Sequence, residues 1–237
     1  MTTPPDRYIV LDFETTGLTP GYRPIEIAWL EFDKDFNVLN TAESLINPRI
    51  PIEPSATEVH GITDRLVAES PSLVGFIGDQ FLGDRVLVVG HNVQFDAPFF
   101  APFCREMGTL CTLKLSLVVN PEATSHSLGS LAELLGVVEE PTHRAAADVA
   151  TCFSVLRYYS LSLGVGLGGL LERSRSLNAD SIMSFGAHRG KPIRDLPSSY
   201  KGWVLAKFDP GHWLVEVLRG LEAEGSAVSA PHAQGIS

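Results

Sequence analysis

Tyr8-Ile9-Val10-Leu11-Asp12-Phe13-Glu14-Thr15-Thr16-Gly17 is the stretch that decides the fold. Its apolar start reads as a buried strand that ends in charge. Strand alternation places Asp12 and Glu14 on one face and Phe13 on the other, in the core. Two carboxylates about 5 Å apart repel by roughly 3 kcal/mol at an effective dielectric near 20. A hard divalent cation offsets such repulsion naturally. The same two acids also fit a solvated strand end, so the pair acquires meaning only from what the rest of the chain brings to it.

Outward from this strand, Ile25 to Phe32 and Phe36 to Ile46 read as two more strands, divided by the turn-like Asp33-Lys34-Asp35. A proline-rich loop covers Asn47 to Ser55, and short helical patterns run through Pro71 to Leu82. Arg85 to Gly90, RVLVVG, is short, apolar and β-branched, as a strand buried on both faces should be. Helices are expected over Val93–Met107, Ser127–Leu135 and Ala145–Ser160. Three meandering strands followed by alternating strand and helix predict an α/β fold, with a mixed sheet and helices on its faces.

Two further constellations carry chemistry. In Gly90-His91-Asn92-Val93-Gln94-Phe95-Asp96 a buried strand hands over to a helix. Asn92 is placed to cap that helix and Asp96 to sit in its first turn, where the helix dipole favours a carboxylate. Capping alone would account for both residues. It would not explain a second acid at the C-terminal edge of a sheet strand, where α/β sheets build their sites. In His143-Arg144-Ala145-Ala146-Ala147-Asp148, Asp148 lies inside a helix and His143 in the preceding loop. A histidine five residues before an acid that shares a site with three others is a candidate general base.

Together these segments resemble the three motifs of the DEDDh exonucleases, the superfamily of the proofreading epsilon subunit of bacterial replicative polymerases. The likeness covers roughly residues 6–160, and Thr57-Glu58-Val59-His60-Gly61-Ile62-Thr63 is similar to that family's substrate loop. The resemblance implies a ribonuclease-H-like fold. It implies that Asp12, Glu14, Asp96 and Asp148 hold two Mg²⁺ or Mn²⁺ ions and that His143 deprotonates the attacking water. It further implies that Thr15, Thr16, Gly17 and Leu18 contact the terminal nucleotide through backbone amides and an apolar side chain. Val59, His60, Asn92 and Phe95 would line the substrate pocket, although Val59 and Phe95 also suit plain core packing. Relatives commonly carry an acid where this chain has Cys111.

The chain has 237 residues and a net charge of −10, and the charge is unevenly spread. Residues 1–180 hold 12 basic and 23 acidic side chains, whereas 181–220 hold six and three. An acidic body with a basic appendage suits an enzyme built on metal-binding carboxylates better than a protein that coats DNA. Leu161 to about residue 180, opening with a glycine-studded run, reads as a linker, 181–220 as a small basic module, and 221–237 as a disordered tail. The module resembles the F-G-K-x-x-G-K-P type appended to exonucleases such as exodeoxyribonuclease X, with Ala187 replacing the first lysine. Its Arg189, Lys191, Lys201 and Trp203 would grip a strand. Three scattered cysteines with no C-x-x-C pair argue against a zinc knuckle or a disulfide framework. No run of apolar residues long enough for a bilayer span and no secretion signal are visible, so a cytosolic location is expected. The expected function is therefore DNA 3′–5′ exonuclease, acting on single-stranded 3′ ends, with a DNA polymerase as a possible partner. RNA trimming is the alternative. A non-catalytic binder on the same fold would have lost its carboxylates, which are all present.

Overall fold

The computed structural model of the protein describes residues 4–138 and 141–228. Five strands form one mixed sheet: β1 (Arg7–Thr15), β2 (Pro24–Phe32), β3 (Val38–Leu45), β4 (Arg85–Gly90) and β5 (Glu106–Cys111), in the spatial order β3-β2-β1-β4-β5. The first three pair antiparallel, and β4 runs parallel to both β1 and β5. The helices are α1 (Pro54–His60), α2 (Asp64–Val67), α3 (Leu73–Ile77), α4 (Ala97–Phe100), α5 (Thr112–Val119), α6 (Leu128–Leu135), α7 (Ala145–Leu163), α8 (Leu167–Arg175), α9 (Ser198–Lys207) and α10 (Trp213–Val228).

Period-two alternation sorts the sheet's side chains into two cores. Ile9, Leu11 and Phe13 of β1 join Ile27, Trp29, Val86 and Val88 beneath α3 and Phe100. Val10, Ala28, Leu30, Leu87 and Val89 face the other way, against Leu115, Leu131 and the buried stripe of α7. Asp12 and Glu14 follow Val10 in this alternation, so they point to the side that α7 covers. That placement decides the site, because α7 carries Asp148 in its first turn.

Three sequence expectations need correction. Val93–Met107 is not one helix: α4 spans only Ala97–Phe100, a 3-10 turn follows over Ala101–Phe103, and β5 starts at Glu106. Pro98 opens the short helix and Pro102 ends it, since an interior proline removes an N–H and clashes with the preceding turn. Asn92 does not cap that helix. Its backbone is left-handed (φ 64°), and Asp96 occupies the N-cap position without a side-chain capping bond. The presumed linker contains α8, whose Leu167 and Leu170 are buried against the main core. Gly169 is needed there, because a Cβ would come within 2.8 Å of Val165. Helix propensity argues against Gly168-Gly169, and burial of the neighbouring leucines overrides it.

The C-terminal module shares its core with the body. Leu117 of α5 is buried with Met183, Ile193, Val204, Trp213 and Leu218. Arg189 donates to the carbonyls of Ala123 and Thr124, at 2.7 and 3.2 Å, and Lys114 pairs with Glu216. The Lys201 ammonium donates to the Arg194 carbonyl at 2.6 Å. Two of the groups expected to grip a strand thus hold the module together and fix it in place. Trp203 is 48% exposed and packs edgewise on Phe208. Residues 221–228, expected in the tail, continue α10, and 229–237 lie outside the described residues.

Candidate active site

The C-terminal ends of β1 and β4 lie side by side, and the site assembles there. Asp12 and Glu14 reach from β1 toward α7, where Asp148 meets them: one oxygen from each of the three lies within 4.8 Å of the others. Asp96 arrives on the segment after β4 and is almost completely buried. Its Oδ1 accepts from the Phe13 amide at 3.2 Å, which ties it to the strand between the two β1 acids. The sequence placed four acids in one group; three converge closely, and Asp96 stands beside Asp12 with one oxygen committed to the backbone.

The electrostatics record the crowding. Burial pushes the Asp12 carboxyl well above its ordinary range, and the charges of Asp96, Asp148 and Glu14 push it further. Glu14 is pushed up to about 7, first by burial, then by Asp148 and Glu26, with Arg144 pulling it down. Burial also raises Asp96, against the Phe13 amide. Asp148 is raised by burial and relieved by the Thr142 amide, which donates to its Oδ1 at 3.0 Å, and by His143. Like charges crowded together and buried have this signature. A group of carboxylate oxygens is a donor set that suits a hard divalent cation.

His143 sits in the loop before α7, exposed, with a left-handed backbone (φ 54°). Thr15 and Thr16 are buried, and Thr16 is tied to Arg23 in the loop after β1. Its amide donates to the Arg23 carbonyl at 2.9 Å, and its hydroxyl accepts from the Arg23 amide at 3.1 Å. The Thr16 amide is thus already bonded within the chain. Gly17 lies against Glu53, whose carboxyl would be 2.3 Å from a Cβ, and Leu18 beyond it is 81% exposed. Val59 on α1 is exposed, whereas His60 is buried, with Nδ1 accepting from the Ile62 amide at 2.9 Å. Burial pulls the His60 pKa down and favours the neutral ring. Phe95 stacks on Tyr22 at 5.0 Å, and exposed Asn92 precedes it. Cys111 is buried at the end of β5 and takes no part in the acidic group.

Four residues at the site, Tyr22, Phe99, Glu26 and Arg144, had no role in the sequence reading. Tyr22 completes the aromatic wall with Phe95 and Phe99. Glu26, opposite Glu14 in the β1–β2 register, is buried and gripped by Arg144. The signal for Glu26 was available, because a glutamate inside the apolar run PIEIAWLEF is a buried charge that needs a partner.

Residues 9–156 match the family model RNase_T, described as Exonuclease. A DNA polymerase III subunit epsilon-like protein of Rhodobacter capsulatus is 36% identical over 171 residues, which are 65% of this chain and 24% of that protein. A PolC-type DNA polymerase III of Lacticaseibacillus paracasei is 36% identical over 151 residues, 60% of this chain and 10% of the polymerase. The chain thus spans less than a quarter of the length of these relatives. Among solved structures, Exonuclease X in complex with 5′ overhanging duplex DNA superposes with a TM-score of 0.57 at 25% identity. That match covers 70% of this chain and 99% of the other.

Proposed function

The chain belongs to the exonuclease family as a DnaQ-like DEDDh member with a ribonuclease-H-like fold, and from that premise we propose that it removes nucleotides from DNA 3′ ends by two-metal hydrolysis. The products would be nucleoside 5′-monophosphates. The observation that carries this reading is the convergence of Asp12, Glu14 and Asp148 oxygens within 4.8 Å where the end of β1 meets α7.

Divalent cations bound there would supply Lewis-acid activation of water and neutralise charge on the leaving group. Asp12, Glu14 and Asp148 would hold them, with the free oxygen of Asp96 completing the set. His143 accepts the proton of the attacking water, and its exposed loop position lets the imidazole approach from the solvent side. Leu18, Val59 and the Tyr22–Phe95 wall present apolar surface to the terminal base and sugar, with Thr15, Gly17, His60 and Asn92 around them. DNA is favoured over RNA as substrate because the relatives are named for DNA polymerase III and the superposed Exonuclease X is bound to DNA. A DNA polymerase is the protein partner that follows from the same relatives.

The test incubates the protein with 3′-end-labelled single-stranded DNA, duplex DNA and RNA, in Mg²⁺, Mn²⁺ or EDTA. Stepwise release of mononucleotides from DNA, abolished by EDTA, is the expected result. Preferential trimming of RNA would transfer the same chemistry to the other substrate. Cleavage unaffected by EDTA would overturn the metal assignment.

A further inference from the structure

We propose that Arg144, locked onto Glu26, is a positioning residue that holds the backbone of His143 in its active conformation. This rests on the reading of His143 as the general base. The observations concern the two neighbours of His143. On one side, the Thr142 amide is bound by Asp148 at 3.0 Å. On the other, the Arg144 Nε lies 3.0 and 3.1 Å from the two Glu26 oxygens, and its Nη2 also donates to Glu26. Glu26 then reaches past the arginine to accept from the Ala145 amide at 3.0 Å, closing the N-terminus of α7. A carboxylate from β2 therefore caps a helix that is 119 residues distant in the chain.

Between these two anchors His143 adopts φ 54°, a conformation that an L-residue occupies only at some cost and keeps when its surroundings over-determine it. The fork supplies that constraint. Arginine's planar, bidentate grip fixes a direction as well as a distance, which a lysine ammonium does not. The carboxylate is almost completely buried (6% exposed), whereas the guanidinium is half exposed. The pair therefore has a dry end that resists exchange with water. The fork also gives the acid opposite Glu14 a counter-charge, and Glu26 lies outside the close carboxylate group.

A half-exposed guanidinium beside a nuclease site has a rival role, direct contact with a substrate phosphate. A double-mutant cycle separates the two. If Arg144 positions His143, Arg144→Ala should lower kcat by roughly 10- to 100-fold, as a misplaced catalytic group does. KM for a DNA end and the Mg²⁺-induced rise in thermal midpoint should stay at wild-type values. In a His143→Ala background the same substitution should cost less than about 2-fold further, because the group it positions is gone. Arg144→Lys, which keeps the charge and loses the fork, should resemble Arg144→Ala, and Glu26→Gln should reproduce the kcat loss in milder form. Thermal midpoints in EDTA establish that each variant is folded. A raised KM whose effect persists in full in the His143→Ala background would overturn the proposal and assign Arg144 to the phosphate. Wild-type kcat from Arg144→Lys would overturn it as well. Failure of the base assignment is seen separately, as near-normal turnover by His143→Ala alone.

Discussion

Asp12 shows how one side chain can serve function against stability. Burial and the neighbouring acids push its carboxyl well above its ordinary range, so the metal-free protein carries it at a cost. Asp12→Asn is therefore expected to abolish degradation while leaving the EDTA-treated protein as stable as wild type or more so. Its Mg²⁺-induced gain in thermal midpoint should shrink, since that gain is binding energy to the folded state alone. Unchanged turnover would remove Asp12 from the site. His143→Ala is expected to lower kcat by roughly 10²–10⁴-fold, the usual worth of a general base, without altering metal stabilisation. Single-turnover rates at saturating substrate, together with melting in Mg²⁺, check both halves. The raised acids also set a pH dependence. Glu14, pushed up to about 7, keeps in the folded state a proton that the unfolded chain releases above the ordinary carboxylate range. Its stabilising contribution is full at low pH and is lost as pH rises through about 7. In EDTA the thermal midpoint should thus fall between pH 5 and pH 8, and Mg²⁺ should remove that slope. A midpoint that rises over this range in EDTA would contradict the burial of the acids.

At the scale of the element, the end of β4 is built to tight tolerance. A Cβ on Gly90 would lie 3.1 Å from the Val93 side chain and 3.2 Å from the Leu11 carbonyl. The first neighbour belongs to the segment that carries Asp96, and the second to the strand that carries Asp12. Gly90→Ala is expected to cost about 1–3 kcal/mol, the usual range for overpacking, because neither neighbour is free to withdraw. Activity should fall more than stability alone explains, since relief requires β4 to part from β1 where their acids meet. Equilibrium denaturation with parallel kinetics measures both, and a variant of wild-type stability would show that the strand ends yield more easily than these contacts allow.

For the molecule as a whole, the basic module is an extension of the body's packing. Truncation after Asp180 would strip the cover from Leu117 and break the Lys114–Glu216 pair, so loss of affinity in such a fragment would not isolate a grip on DNA. Point substitutions are cleaner. Trp213→Ala, which empties a nearly buried site, is expected to destabilise by about 3–5 kcal/mol. Arg189→Ala should lower stability while leaving the salt dependence of single-strand binding unchanged, because its guanidinium is committed to the carbonyls of Ala123 and Thr124. If Arg189 contacts a phosphate instead, the slope of log affinity against log salt should drop by roughly 0.7. Binding titrations of metal-free protein at several salt concentrations decide between the two.

Local pattern by itself determined the strands that flank the site and the acids at their ends. Alternation in Tyr8–Phe13 and the unbroken apolar run of Arg85–Gly90 are visible in a window of a few residues, because burial on a pleated strand repeats every two. The motif spacings and the histidine five residues before Asp148 were legible through the resemblance to the DEDDh exonucleases. What only the tertiary structure decided involves residues far apart in the chain. Strand β5 has a weak pattern of its own and exists because β4 offers it an edge. Helix α8 forms across two glycines because its leucines find a core. The split of the acids into a close group of three and a backbone-tied Asp96 depends on where α7 and the segment after β4 come to rest against β1. The Glu26–Arg144 lock joins residues 118 positions apart, and no local propensity encodes a partner at that separation.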